Sequence, residues 1–599
     1  MRCGTVLLAL ALSVGAAAPA GAQPTVTEYT GGVTSGFSAN TLPIGITAGP
    51  DGNLWVAAEG DPGYVEKVTP GGAFTEFTGG VTPNFTANIG PEDIVAGPDG
   101  NLWFTQYKNP GAIGRITPVG NVTEFTAGFS ANGDAEFITV GPDGNLWGTL
   151  TEIPGHVVRM TTAGVATEFT GGVTPGFPAN ITPAGITAGP DGNLYFVGVA
   201  NPGRVFRVTP SGTFTEIATG GVTPGFTADG HPFHITTGPD GNLWFTEPAN
   251  GARVARMSPD GGPVTEFVEG VTPGFTNINE APREIAVGPD GNIWVGLPGN
   301  DSGIVRITPA GVVTTFVSGT TPGFSKLGGP AHMVAGPDGN LWFAAAINPG
   351  HVSYITVGPR VVTGAAGSIQ PAAATLAGTV RPNGQTTVYH FEYGTTAAYG
   401  SQTADAPLTA GVATIPVSAT PNGLQPSTVY HYRLVATNDS ATTLGDDATF
   451  TTAQAPPPPP TATIAAASRL ALTPATFRAA GSGPSATAAR HRIGTRVTFT
   501  LNIAASVRFT VQRQAAGRRS GTRCVAPTKR NRRARRCTRY VAVRGAFTRP
   551  GIAGTNAFRF SGRIGARKLR PGRYRLVATP TAAGKAGTLA RAPFRIVRR

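Results

Sequence analysis

The chain has 599 residues, is 40% hydrophobic and 13% charged, and carries 84 glycines, 53 prolines and a formal net charge of +13. That length allows three or more domains at roughly 100–200 residues each, and no segment after the N-terminal stretch is long and apolar enough to be a membrane-spanning helix. The charge is divided: Thr461 to Arg599 holds 31 Lys and Arg and no acid, while residues 1–460 hold 15 basic and 33 acidic residues, a balance of −18 that marks separate modules.

Met1-Arg2 precedes an apolar stretch from Val6 to Ala18, and Ala20-Gly21-Ala22 follows. A basic start, an apolar core and a small-residue cleavage site describe a secretory signal peptide over residues 1–22. The expected protein is therefore secreted, begins at Gln23, and is extracellular or held at the cell envelope.

Residues 23–360 are repetitive. Gly-Pro-Asp-Gly-Asn-Leu-Trp starts at Gly49, Gly97, Gly141, Gly189, Gly238, Gly288 and Gly336, with Tyr195 and Ile293 as its two single departures. Asp-Gly between two short apolar runs is a hairpin turn, because glycine accepts the positive φ that tight turns require. A third run ends in Arg-Ile-Thr-Pro (Arg115–Pro118, Arg306–Pro309), and a fourth carries Thr-Glu-Phe (Glu76-Phe77, Glu124-Phe125). Four strands in a repeat of 44–50 residues, seven times over, predict an all-β seven-bladed propeller. The last turn motif has no fourth strand after it, whereas Thr27-Glu28-Tyr29 stands unpartnered before the first. The N-terminal strand is therefore expected to complete the last blade and remove the open sheet edges. All six tryptophans occupy one motif position, which predicts packing between sheets.

Leu243-Trp-Phe-Thr-Glu247, Gly114-Arg-Ile-Thr-Pro118 and the Thr-Glu-Phe strands resemble the virginiamycin B lyase (streptogramin lyase) family. The resemblance implies a seven-bladed propeller whose enzymes open a cyclic depsipeptide by β-elimination. It also implies a histidine base and a Mg²⁺ held by two glutamates, a base to take the proton and a cation to stabilise the developing enolate. Aligned on the turn glycines, the family's functional positions read Arg283 for a histidine, Gly329 and Ala346 for the metal glutamates, and Ala331 for the base. The family's chemistry is thus expected to be absent, and Mg²⁺ is expected only if a divergent lyase site exists. The residues equivalent to the base in all seven repeats are Ile44, Glu92, Glu136, Ala184, Phe233, Arg283 and Ala331. They are expected to ring the channel mouth, with Glu92, Glu136, Phe233 and Arg283 as ligand-binding candidates and no metal among them. His234, Glu247 and His332 are the remaining catalytic candidates. His234 and His332 lie one residue past the base position, which in a regular strand turns a side chain to the other face.

From Val361 the pattern changes. Tyr389–Thr396 and Tyr432–Asn438 alternate as half-buried strands do, and Leu424, Pro426 and Tyr430 match a tyrosine corner, so residues 361–453 resemble a fibronectin type III domain. Residues 454–463 form a Pro-rich linker, and 464–599 are expected to be a basic, immunoglobulin-like sandwich. Cys524 and Cys537 remain after Cys3 leaves with the signal, predicting a disulfide worth about 3 kcal/mol by loop closure. Its loop holds Lys529-Arg530-Asn531-Arg532-Arg533-Ala534-Arg535-Arg536. On a secreted chain the polyanions within reach are envelope polymers, not nucleic acid.

The expected protein is therefore a monomeric, envelope-associated propeller that binds a small ligand or peptide at its mouth. The alternatives are a carbon–oxygen lyase with a divergent site and a structural surface protein.

Overall fold

The computed structural model describes residues 23–598 except 108–110, 130–132, 250, 277–279, 300–301, 327–328, 458–462 and 488–493. The expected signal segment and residues 458–462 of the Pro-rich linker lie outside the described residues. Among those described, every regular element is a strand, and none is a helix able to cross a membrane. The chain divides into two compact units between Pro456 and Pro457.

The first unit opens with seven four-stranded antiparallel sheets. Sheet one is Leu42–Ala48, Leu54–Glu59, Tyr64–Val68 and Phe74–Thr78, and the next five repeat that order. Sheet seven is His332–Ala335, Leu341–Ala345, His351–Ile355 and, as its outermost strand, Val26–Thr30. Thr27, Glu28 and Tyr29 pair with Tyr354, Ser353 and Val352, so the orphan strand of the sequence completes the last sheet. The first strand of each sheet packs on the first strand of the next, and His332–Ala335 packs back on Leu42–Ala48. The arrangement is a β-propeller.

The repeat motif is explained atom by atom. Each tryptophan is fully buried between sheets, and its indole N–H donates to the aspartate four residues earlier, as in Trp55 to Asp51 Oδ1 at 3.1 Å and Trp294 to Asp290 at 2.9 Å. The same aspartate accepts from the asparagine amide, as Asp99 does from Asn101. A Cβ on the leading glycine at Gly97 would lie 2.4 Å from Trp103 Cδ1, and Gly100 turns the hairpin at φ +76°. The third-strand arginine covers the indole, 5.2 Å from ring to guanidinium for Arg256 on Trp244. Its other end donates to the Thr-Pro turn of the next repeat, as in Arg159 Nη1 to Pro210 O at 2.8 Å. The fourth-strand glutamate accepts from the loop arriving from the previous sheet: Glu124 from Thr86, Glu266 from Thr227, and Glu28 from Ser325. The loop phenylalanines (Phe37, Phe85, Phe177, Phe226, Phe275, Phe324) are buried against these strands.

A two-sheet β-sandwich follows, one sheet holding Arg360–Thr363, Leu376–Arg381 and Ile415–Ala419, the other built on Thr387–Gly394 and Val429–Thr437. Tyr430 Oη accepts from the Gln425 amide at 3.0 Å, which pins the turn before its strand. Asn383, fully buried, donates to Gly358 O at 2.7 Å and sits against Gly339 of the last hairpin turn.

The second unit has its own aromatic core, including Phe499, Phe509, Phe558, Phe560 and Phe594. The long strand Ala505–Ser520 runs out of it into a ribbon closed by the Cys524–Cys537 disulfide. Gly517 is required there, since a Cβ would lie 2.3 Å from Cys524 Sγ.

Candidate functional site

The channel side chains come from the start of each innermost strand, where the ladder is irregular. Pro91 pairs with Gln106 and Ile94 with Phe104, so Glu92 and Asp93 together face Thr105 alone. Sheet four has the same two-against-one bulge between Pro183 and Ile186. A bulge leaves one residue outside the ladder and so cancels the strict alternation of faces. Thr105 Oγ1 occupies the bulge, accepting from the Asp93 amide at 2.9 Å and donating to Glu136 O of the next sheet at 3.1 Å. Thr246 repeats this, accepting from the His234 amide at 3.1 Å and donating to Arg283 O at 3.0 Å. Two successive residues of one sheet therefore reach the axis, one at the mouth and one extending below it, as Glu92 and Asp93 do.

At the mouth, Ile44, Glu92, Glu136, Phe233, Arg283 and Ala331 line a single cavity of about 490 Å³ with Ala346 and Ile347. Six of the seven positions read from the sequence converge there. Ala184, the seventh, is buried in the core and is not on that wall. The Arg283 guanidinium stacks on Phe233 at 5.4 Å, and Phe233 meets Phe137 edge-on. Burial pushes the Glu92 carboxyl up to about 9, with the charges of Glu136 and Glu59 adding to it. Burial also raises Glu136 to about 7, where a Thr151 hydrogen bond and the Arg283 charge hold it back.

The metal glutamates implied by the resemblance have no counterpart. Gly329 and Ala346 offer no donor atom, and a Cβ at Gly329 would lie 2.6 Å from Ser302 Cβ and 2.7 Å from Pro298 Cα. A Mg²⁺ held as in that family does not fit these residues.

One step below, Asp93, His234, Glu284 and His332 meet in the channel. His234 Nδ1 lies 3.7 Å from Glu284 Oε1, and His332 Nε2 lies 3.9 Å from that oxygen and 3.4 Å from Asp93 Oδ1. Burial raises Glu284 well above the ordinary range and lowers His234 to about 3. Asp93, Glu284 and His332 line both the mouth cavity and the lower channel, so they form the partition between them.

Glu247 is not on either wall. It is fully buried at the end of Leu243–Glu247, 3.9 Å from Arg253 Nη1, and burial raises it to about 8. His234 and His332 are thus brought together and Glu247 is left apart. The sequence reading missed Glu284 and Asp93. Taking the residue after the base position in every repeat finds them: Gly45, Asp93, Phe137, Gly185, His234, Glu284 and His332.

The sequence model of the virginiamycin B lyase family matches residues 34–224 and 217–366, over half of the chain. The chain belongs to the virginiamycin B lyase family. Among solved structures, a streptogramin B lyase is 24% identical at a TM-score of 0.44, covering 55% of this chain and 97% of that one. The WD40 β-propeller domain of Doa1 is 9% identical at a TM-score of 0.40, covering 56% and 97%. YCF48 bound to D1 peptide is 13% identical at 0.39, covering 56% and 98%. No curated protein matches.

Proposed function

We propose that this protein is a secreted, envelope-associated binding protein whose seven-bladed propeller captures an amine-bearing, partly apolar ligand or peptide at its mouth. The supporting observation is the convergence of Glu92, Glu136, Phe233 and Arg283 on one cavity that lacks the family's metal carboxylates. A cationic group between Glu92 and Glu136 would draw their raised carboxyls into the charged form, and Phe233 with Ile44 and Ala331 supplies apolar wall. The module after the propeller fits a fibronectin type III spacer, with Tyr430 as its corner, and the last unit fits an immunoglobulin-like sandwich. The arginine-rich ribbon of that unit, unbalanced by any acid, fits retention on anionic envelope polymers.

The test is calorimetry of the full chain against a panel of short cationic and neutral peptides. Binding that favours amine-bearing peptides and weakens about tenfold or more in E92Q/E136Q supports the reading. Equal binding by wild type and variant removes it.

A second reading, a divergent lyase, is favoured by one observation: His332 stands at the cavity floor beside Glu284 and Asp93. In it His332 takes the proton next to a carbonyl while the ring carbon–oxygen bond of a cyclic depsipeptide breaks, leaving an alkene and a carboxylate. Incubation with a streptogramin B-type lactone and mass analysis for the linear isomer decides it.

A further inference from the structure

We propose that His234, Glu284 and His332 form a binding site for a borderline divalent cation of the zinc type, in the channel below the mouth cavity. The donor atoms of the three residues all lie within 4.8 Å of one another. Ligands of a tetrahedral zinc, at 2.0–2.2 Å from the ion, stand about 3.4 Å apart. The two spacings to Glu284, 3.7 and 3.9 Å, exceed this by a few tenths of an ångström, and the two imidazole donors lie within 4.8 Å of each other.

Two of the three donors have no hydrogen-bond partner. Glu284 is 97% buried, and its Oε1 has no hydrogen-bond partner, nor does His234 Nδ1. A buried carboxylate oxygen left unpaired is costly, and an ion between the two rings satisfies all three groups at once. The Glu284 and His234 side chains are otherwise held in place. The Glu284 carboxyl accepts from the Ile285 and Met333 backbone, and the His234 ring is hydrogen-bonded at the Ile285 backbone. Asp93 takes the Ile94 and Ile138 amides at 2.8 and 2.9 Å, and its Oδ1 lies 3.4 Å from the same His332 Nε2, so its carboxylate adds negative charge beside the site. Two imidazoles and a carboxylate select zinc-like ions over Mg²⁺, which prefers an all-oxygen shell. With Glu284 and Asp93 ionised the loaded site is neutral, and His332 and Glu284 face the mouth cavity, leaving the fourth position open to it.

This site is distinct from the family's, whose metal positions fall on Gly329 and Ala346. It does not depend on the identity of the mouth ligand, and E92Q/E136Q is expected to leave it intact.

The experiment strips the full chain with chelator and titrates Co²⁺ while recording visible absorption, then repeats the titration with Zn²⁺ by calorimetry. The expected result is one equivalent with the intense bands of tetrahedral Co²⁺. Glu284→Gln and His332→Gln are each expected to weaken binding more than about 100-fold. Zn²⁺ is expected to raise the melting temperature of the wild type but not of E284Q. E284Q keeps the shape of the side chain, so its metal-free melting temperature is expected to be close to that of stripped wild type. An octahedral Co²⁺ spectrum, no stoichiometric binding, or binding unchanged in E284Q and H332Q overturns the proposal.

Discussion

Each indole N–H in the propeller has one partner, the aspartate four residues back, and each leading glycine exists because the indole lies on it. Trp244→Ala is therefore expected to lose about 3–5 kcal/mol through cavity formation, read as a shift in the urea midpoint. Glu92 and Glu136 behave differently from ordinary surface acids. Their folded values, about 9 and about 7, stand above the ordinary 4.5. A raised carboxyl favours the fold in its protonated form, so this contribution is complete below 4.5 and is lost as pH rises through 7 to 9. Urea midpoints are expected to fall between pH 5 and pH 9, and the fall is expected to be smaller in E92Q. Binding of a cationic ligand has the opposite dependence, strengthening as pH passes 7 and Glu136 ionises. A flat stability profile, identical in wild type and E92Q, would contradict this assignment. The residues that carry these effects were legible because their repeat position was.

At the scale of the element, the strand starts decide the site. A strict strand would have turned His234 and His332 away from the channel, as its period of two requires. Two residues against one break that period: Glu92 and Asp93 on Thr105, Phe233 and His234 on Thr246, and Ala331 and His332 on Ala344. No composition signal marks a bulge, since Thr at this position is also an ordinary strand residue. Asp93 and Glu284 consequently stayed hidden, while the hairpin turns and Trp-bearing strands were plain from Asp-Gly and from alternation. Thr246→Val keeps the shape and removes a hydrogen bond to each of two sheets. It is expected to cost about 1–3 kcal/mol in the same urea assay, and to weaken Co²⁺ binding through displaced His234. Unchanged Co²⁺ affinity in T246V would show that the bulge does not position that ring.

For the whole molecule, the division of charge and the direction of the strands set which surfaces are free. The innermost strands run from the mouth toward the Gly-Pro-Asp-Gly-Asn turns, and the sandwich at 360–453 meets the turn at Gly339, on the face of the propeller opposite the mouth. The module boundary was legible at Val361 because the repeat ends there, but this docking was not. It rests on Asn383 and Gly384, turn residues that read as solvent-facing, against Asp338 and Gly358. The basic unit gives the remaining prediction. The full chain is expected to bind an anionic glycan such as heparin with an affinity that falls steeply with salt. Replacing Arg532, Arg533, Arg535 and Arg536 by Gln is expected to reduce both affinity and salt slope. Salt-independent binding would point to contacts other than charge.

The pairing of Val26–Thr30 with His351–Ile355 has a consequence in time. Thr25 and Thr356 are hydrogen-bonded across 331 residues, so the first strand to leave the ribosome must wait for nearly the last strand of the ring. Until then the growing array has two bare edges, one at each end, each able to pair with a neighbouring chain. A circular permutant that joins Val26–Thr30 directly after Ile355 would make that contact local. It is expected to refold faster and aggregate less at the same final stability.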